Sequence, residues 1–230
     1  MEHTLSPGQL EAIRRLGTCA VSNAIESFDV RLRNDGLVDA SIRSMFPHMP
    51  PMLGYAVTAR IRCSSPPPVG HNYRDRTDWW NYLITVPAPR VVVIQDIDPK
   101  PGFGAFVGEV HAYIQRALGS TGAVTNGAAR DLQAVEAAGY QLFAGNVAVS
   151  HAYAHMVEFG EPVEVGGLRI APGDLIFGDS HGVLTVPMEI AAEIPARAEV
   201  IAHREGKVID FCKSRAFSLE KLREVIRDLE

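Results

Sequence analysis

Gly122-Ala-Val-Thr-Asn-Gly-Ala-Ala-Arg130-Asp131 joins a short strand to an adjacent cation and carboxylate. Residues 122–125 read as a strand with Asn126-Gly127 in its exit, and an apolar-periodic helix is expected over 132–138, closed by Gly139. Gln141-Leu-Phe143 then reads as the next strand. A strand, a helix and a strand in such quick succession point to an α/β protein. The pair at the strand exit also carries chemistry. Arginine grips a carboxylate through two parallel hydrogen bonds. Aspartate can hold Mg²⁺ or a similar hard cation, which keeps most of its waters and needs few protein ligands. Together Arg130 and Asp131 would suit a 2-oxo acid. A plainer reading stands beside this one: Asp131 is an apt N-cap for the helix it precedes, and Arg130 could be a surface charge.

Upstream, Val91-Val-Val-Ile94 is a continuous β-branched run of the kind found in buried strands. Gly102-Phe-Gly104-Ala-Phe-Val-Gly108 follows it and imitates a dinucleotide-binding fingerprint. However, the third glycine falls one place late, and the next strand offers no acidic residue for a ribose. The segment has a simpler use. Gly108, Glu109, Val110 and His111 would form the first turn of a helix, whose unpaired backbone N–H groups suit a carboxylate or phosphate. An ordinary helix start is the competing reading.

Further out, Ser6-Pro7 opens a helix with Leu10, Ile13 and Leu16 as its stripe, a second helix fits 18–28, and residues 55–61 read as a strand. Pro66-Pro67-Pro68-Val-Gly70 is the one linker-like stretch, too short to separate domains. Residues 163–165, 168–170, 175–177 and 183–186 are expected to form a β-meander joined by Gly/Pro/Asp turns, Pro172-Gly-Asp174 and Gly178-Asp-Ser-His-Gly182 among them. Pro187 starts a helical stretch that Pro195 kinks or restarts, and a last helix over 218–229 lines up Leu219, Leu222, Val225, Ile226 and Leu229. Strands outnumber helices in this last third, so a simple doubly wound sheet is not the expected architecture.

With 230 residues, 47% hydrophobic and 21% charged, the chain has the composition of a globular protein rather than a disordered one. A formal charge of -5 offers no broad footprint for duplex nucleic acid or an anionic membrane. Cys19, Cys63 and Cys212 are scattered and odd in number, which argues against a disulfide framework and for a reducing compartment. The N-terminus lacks a signal-peptide pattern and no apolar run reaches membrane-spanning length, so a cytoplasmic location is expected. His151 and His155 would pair as metal ligands only on a helix, and their surroundings look extended, so structural or surface roles are expected. Trp79, Trp80 and Tyr73, with Arg74 and Arg76 nearby, are expected at a core edge or subunit interface. The sequence has no nucleophile elbow and no P-loop.

The run from Gly108-Glu-Val through Gly122-Ala-Val-Thr-Asn-Gly-Ala-Ala-Arg130-Asp131, then Pro172-Gly-Asp174-Leu-Ile-Phe-Gly-Asp179 and Gly182-Val-Leu-Thr-Val-Pro187, resembles the RraA-like family. That family includes class II 4-hydroxy-4-methyl-2-oxoglutarate and 4-carboxy-4-hydroxy-2-oxoadipate aldolases and the regulator of ribonuclease E activity. The resemblance implies an α/β fold of the β/β/α swivelling-domain type, one RraA-like domain over 1–230 with flanking N- and C-terminal helices. It also implies assembly as a homo-oligomer, usually a trimer, with active sites between subunits. On this resemblance Gly108, Glu109, Val110 and His111 would bind the substrate carboxylate through backbone amides. Arg130 would contact the substrate, and Asp131 would hold a divalent metal, Mg²⁺ or Mn²⁺. Glu205 lies about where some aldolases lend a carboxylate from a neighbouring subunit.

The implied function is a metal-dependent lyase cleaving a C–C bond of a 2-oxo acid, by retro-aldol cleavage or oxaloacetate decarboxylation, to give pyruvate. The alternative is a non-catalytic regulator that binds a ribonuclease or another protein. This chain departs from the family pattern at Val110, where leucine is usual, at Ala134, where the aldolases carry an acid, and at Asn23, where aspartate is common. The segments around 71–81 and 151–155 are atypical too.

Overall fold

The structure, a computed structural model, describes residues 4–68 and 76–227. Helix α1 (Pro7–Arg14) begins at Ser6 because a capping box closes there: the Ser6 hydroxyl accepts the Gln9 N–H at 3.3 Å, and the Gln9 side chain accepts the Ser6 N–H at 2.8 Å. Next come α2 (Thr18–Glu26), β1 (Arg43–Ser44), β2 (Met52–Arg62), α3 (Arg76–Thr85), β3 (Arg90–Asp96), β4 (Ala105–Val107) and α4 (Glu109–Ala117). They are followed by β5 (Ser120–Ala129), α5 (Leu132–Ala137), β6 (Gln141–Val147), β7 (His155–Phe159), β8 (Val163–Val165) and β9 (Leu168–Ile170). The chain continues through β10 (Leu175–Asp179), β11 (Gly182–Val186), α6 (Ile194–Lys213) and α7 (Leu219–Arg227).

The main sheet runs β1-β6-β5-β3-β2-β10-β11, with β4 added to β5 and β7 to β2. Pairings among β2, β3, β5, β6 and β4 are parallel, and β1, β7, β10 and β11 join antiparallel. Strand β3 explains its own β-branched run. Val91 and Val93 enter one core with Phe143, Ile176 and the β8–β9 residues, while Val92 and Ile94 enter the other, beneath the helices. The sheet curls into a nearly closed barrel. Phe143 of β6 packs so closely on Gly178 of β10 that a Cβ there would lie 2.8 Å from the ring. Around this sheet lie helices at both ends of the chain, the mixed α/β architecture that the resemblance implies.

The four C-terminal strands form, but not as one meander. β8 and β9 make a separate two-stranded sheet, turned tightly by Gly166 (φ 55°) and Gly167 (φ 71°), and cap one face of the barrel. β10 instead pairs with β2, Leu175 opposite Tyr55, a partner far away in sequence. The reach of Asp179 has a similar long-range basis. Its carboxylate accepts the Thr18 N–H at 2.8 Å, the Thr18 hydroxyl at 2.6 Å and the His181 N–H at 2.8 Å, and so caps α2 from across the fold.

Pro195 sits in the first turn of α6 and starts it. In α7 no residue is fully buried; Leu219 is 60% exposed and Ile226 42%, while Leu222 and Val225 are half-buried where α7 meets α6, so the described residues cover the expected stripe only in part. Trp79 is buried against Tyr82 and Phe159, the core-edge role expected for it, whereas Tyr73 and Arg74 lie outside the described residues. Leu229 does too. Among the described residues no helix is long and apolar enough to cross a membrane.

Candidate active site

The carboxyl ends of the parallel strands β4, β5 and β6 gather the candidate residues, the end of an α/β sheet where ligands bind. Strand β5 slips register between Thr125 and Ala128 and continues to Ala129, further than the sequence pattern indicated. It delivers Arg130, whose N–H bonds to the Val107 carbonyl at 3.1 Å, directly beside the start of α4. Gly108 is the N-cap of that helix and supplies no side-chain cap, so Glu109, Val110 and His111 form its first turn as expected. Glycine leaves room here for the neighbouring pair. A Cβ on Gly108 would lie 2.7 Å from Asp131 Oδ2 and 3.0 Å from Arg130 Cγ.

Asp131 decides between its two readings. It is the N-cap of α5 by position, and its carbonyl accepts the Ala134 and Val135 N–H groups at 2.9 and 3.0 Å. Its side chain makes no cap bond, because the backbone is left-handed at φ 53°, ψ 39°. The carboxylate turns away from α5, and Oδ2 accepts the Arg130 Nε–H at 3.1 Å and the Glu109 N–H at 3.3 Å. The carboxylate therefore lies in the cleft instead of capping α5. A non-glycine residue in this conformation is uncommon and is held there by its surroundings.

The cleft, about 610 Å³, is lined by Phe106, Gly108, Glu109, Val110, His111, Arg130, Asp131, His151 and Ala154. All six residues expected from the sequence meet in it. Phe106 supports the His111 ring at a centroid distance of 4.6 Å. His151 was not expected there. It lies in the loop between β6 and β7, with Arg130 Nη1 at 3.0 Å from its Nδ1 and 3.3 Å from its Nε2. Its position just past the end of a strand parallel to β5 is the signal that could have found it. His155 is buried in β7, and its Nδ1 meets the Tyr153 carbonyl at 2.7 Å, a structural role.

Glu205 is exposed on α6 and does not line the cleft within one chain, Asn23 is exposed on α2, and Ala134 offers the cleft no oxygen ligand. Behind the cleft, burial pushes the Asp96 carboxyl up, against the hydrogen bonds that it accepts from Gly102 N (2.8 Å) and Asp98 N (3.0 Å). The Gly102 bond tethers the segment leading to β4. Nearby, burial and the two aspartates push the Cys63 thiol up to about 12, so it stays protonated and unreactive.

Among the described residues no group of three or more His, Cys, Asp and Glu side chains could cage a metal. The donor set fits a different mode. Asp131 is a hard oxygen ligand, and its Oδ1 has no hydrogen-bond partner among the described residues, which suits a largely hydrated Mg²⁺ or Mn²⁺.

The RraA-like family model, described as Aldolase/RraA, matches residues 18–185. The chain belongs to the RraA-like family. Protein DlpA of Legionella pneumophila is 27% identical over 147 residues, covering 63% of this chain and 23% of DlpA. A protein of Halalkalibacterium halodurans, provisionally named a 4-hydroxy-4-methyl-2-oxoglutarate aldolase, is 33% identical over 84 residues, covering 36% of this chain and 40% of that protein. The chain thus spans less than half the length of these two relatives. In structure it is similar to Streptomyces coelicolor RraAS2, described as an unusual member of the RNase ES inhibitor RraA protein family. That likeness has a TM-score of 0.68 at 19% identity over 92% of this chain and all of the other, and it shows the RraA-like fold.

Proposed function

We propose that this RraA-like protein is a divalent-metal-dependent lyase that cleaves a C–C bond of a 2-oxo acid and releases pyruvate. The observation that carries the reading is the left-handed Asp131, whose carboxylate leaves its own helix and lies beside Arg130 and the start of α4, where it accepts the Glu109 N–H. The name of the H. halodurans relative points the same way. Asp131 would hold the metal, which supplies Lewis-acid stabilisation of the negative charge on the substrate's oxygens.

The chain's own groups would do the rest. The first turn of α4 binds the carboxylate of the 2-oxo acid through backbone N–H groups beyond Glu109, whose own N–H meets Asp131, aided by the helix dipole. Arg130 faces the oxygen that gains charge as the C–C bond breaks and its electrons move toward the carbonyl, which gives the pyruvate enolate. Aldol cleavage and oxaloacetate decarboxylation share that enolate, so one preorganised cationic cleft would serve both. The test is pyruvate release from a panel of 4-hydroxy-2-oxo diacids and oxaloacetate, with and without chelator. No release from any member would overturn the proposal.

A second reading is favoured by one observation, the exposed Leu219 and Ile226 of the partly covered α7 stripe. In it the chain contacts another protein, as the RNase-inhibitor description of RraAS2 indicates for that family member. A ribonuclease pull-down that survives joint replacement of Arg130 and Asp131 by alanine would support it. The stripe would equally suit the proposed homotrimer, and light scattering at several concentrations would show whether one forms.

A further inference from the structure

Arg130 is held along two edges. Its Nε donates to Asp131 Oδ2 at 3.1 Å, and its Nη1 lies 3.0 Å from His151 Nδ1 and 3.3 Å from Nε2. Because both ring nitrogens are close, a lone pair is available to the guanidinium in either neutral tautomer. Nη2 has no acceptor among the described residues, so that end of the guanidinium remains for a ligand.

The imidazole is not there by a chance swing of a free loop. Ala105 N donates to the Ser150 carbonyl at 3.0 Å, and Ala152 N to the Ser150 hydroxyl at 2.9 Å. Ala154 N closes on the His151 carbonyl at 2.9 Å. Gly104 packs so tightly under this turn that a Cβ would lie 2.3 Å from the His151 oxygen. Ala152 is itself left-handed at φ 49°. Of the three described non-glycine residues with positive φ (Asp29, Asp131 and Ala152), two therefore adjoin the Arg130 clamp, and backbone strain of this kind persists only where packing over-determines it.

We propose that His151 is a positioning residue for Arg130. With Asp131 it clamps the guanidinium plane, so that the free N–H groups are already aligned for a substrate carboxylate or enolate oxygen. An unclamped arginine would have to give up side-chain freedom on every binding event. This inference rests on the 2-oxo acid reading for its ligand, while the clamp itself belongs to the unliganded protein.

The test compares wild type, His151→Ala and His151→Asn, the last keeping a side-chain acceptor. Titration of oxalate, a planar enolate mimic, in Mg²⁺ buffer is expected to show binding about three- to tenfold weaker for His151→Ala, the effect of freeing one rotamer-rich side chain. His151→Asn should recover most of the loss. In turnover the alanine variant should raise KM more than it lowers kcat. Independently of any ligand, the Arg130 Nε–H resonance, assigned by its disappearance in Arg130→Lys, should shift and broaden in His151→Ala and return in His151→Asn. Unchanged oxalate affinity or an unchanged Arg130 resonance in His151→Ala would overturn the inference. Wild-type protein that neither binds oxalate nor releases pyruvate would instead overturn the lyase reading, and the resonance would still decide the clamp.

Discussion

Asp131 and Asp179 both stand where a strand of the sheet approaches the start of a helix, and they are used in opposite ways. Asp179 reaches across the fold and spends its carboxylate on the Thr18 N–H and hydroxyl and the His181 N–H, with the His181 ring Nδ1 also 3.3 Å away. Asp131 begins its own helix, yet its left-handed backbone keeps the carboxylate out of the cap and in the cleft. One aspartate is consumed by the fold, and the other leaves its Oδ1 without a hydrogen-bond partner among the described residues. The difference lies in backbone conformation and neighbours rather than in residue type.

The sharpest way to break that contrast is Asp131→Asn. Asparagine tolerates the left-handed conformation, so the fold should persist while pyruvate release falls by about 10²- to 10³-fold, comparable to loss of one preorganised charge-stabilising group. Equal activity in the variant would show that Asp131 is not kept for chemistry. Next in size is Gly108→Ala. The added methyl meets Asp131 Oδ2 at 2.7 Å and Arg130 Cγ at 3.0 Å, displacing the pair. A shift approaching 1 Å should lower kcat/KM by about 10²-fold. The backbone at Gly108 is extended (φ -148°), so alanine itself fits there and the thermal midpoint should change little.

The converse is expected of Asp179→Ala. It strands two backbone N–H groups and a hydroxyl, and urea unfolding should show a loss of about 1.5–3 kcal/mol with kcat per folded molecule unchanged. The smallest effect is one of pH. Burial alone would raise the Asp179 carboxyl, but the bonds from Thr18 and His181 outweigh it and hold the group below its ordinary value. Its stabilisation is therefore complete above about pH 4, the unfolded carboxylate range, and is lost as the pH falls through the lower folded value. Wild type should lose urea resistance below pH 4 more steeply than Asp179→Asn, and parallel curves would show that the cap carries no linkage.

Much of this was legible in the sequence, for reasons that particular residues make plain. Val91 to Ile94 could be read as a buried strand because both faces of β3 are covered, so no polar alternation interrupts it. Arg130 and Asp131 were legible as a pair, since they are adjacent opposite charges at a strand exit, and the structure joins them by a hydrogen bond. Whether Asp131 would cap was not legible, because that depends on the sign of φ, and φ answers to Gly108 and Arg130 packed against it. The meander failed for a similar reason. Gly/Pro turns announce that the chain reverses, but not that β10 will prefer β2 to β9. His151 stayed hidden because its partner lies 21 positions earlier, in a contact made by a loop with no periodicity to read.

The bond between Thr18 and Asp179 closes a separation of 161 positions. On a ribosome, α2 emerges early, yet its first amides must wait for almost the whole barrel to be made before a carboxylate reaches them. Until the β10–β11 hairpin appears, the nascent chain holds an unlatched helix and a sheet without β10, the strand that pairs with the open side of β2. The latch therefore joins α2 to a strand made more than a hundred residues later. A chain cut short before residue 179 lacks the carboxylate that caps α2 as well as the β11 strand that follows it, so one truncation would loosen both regions.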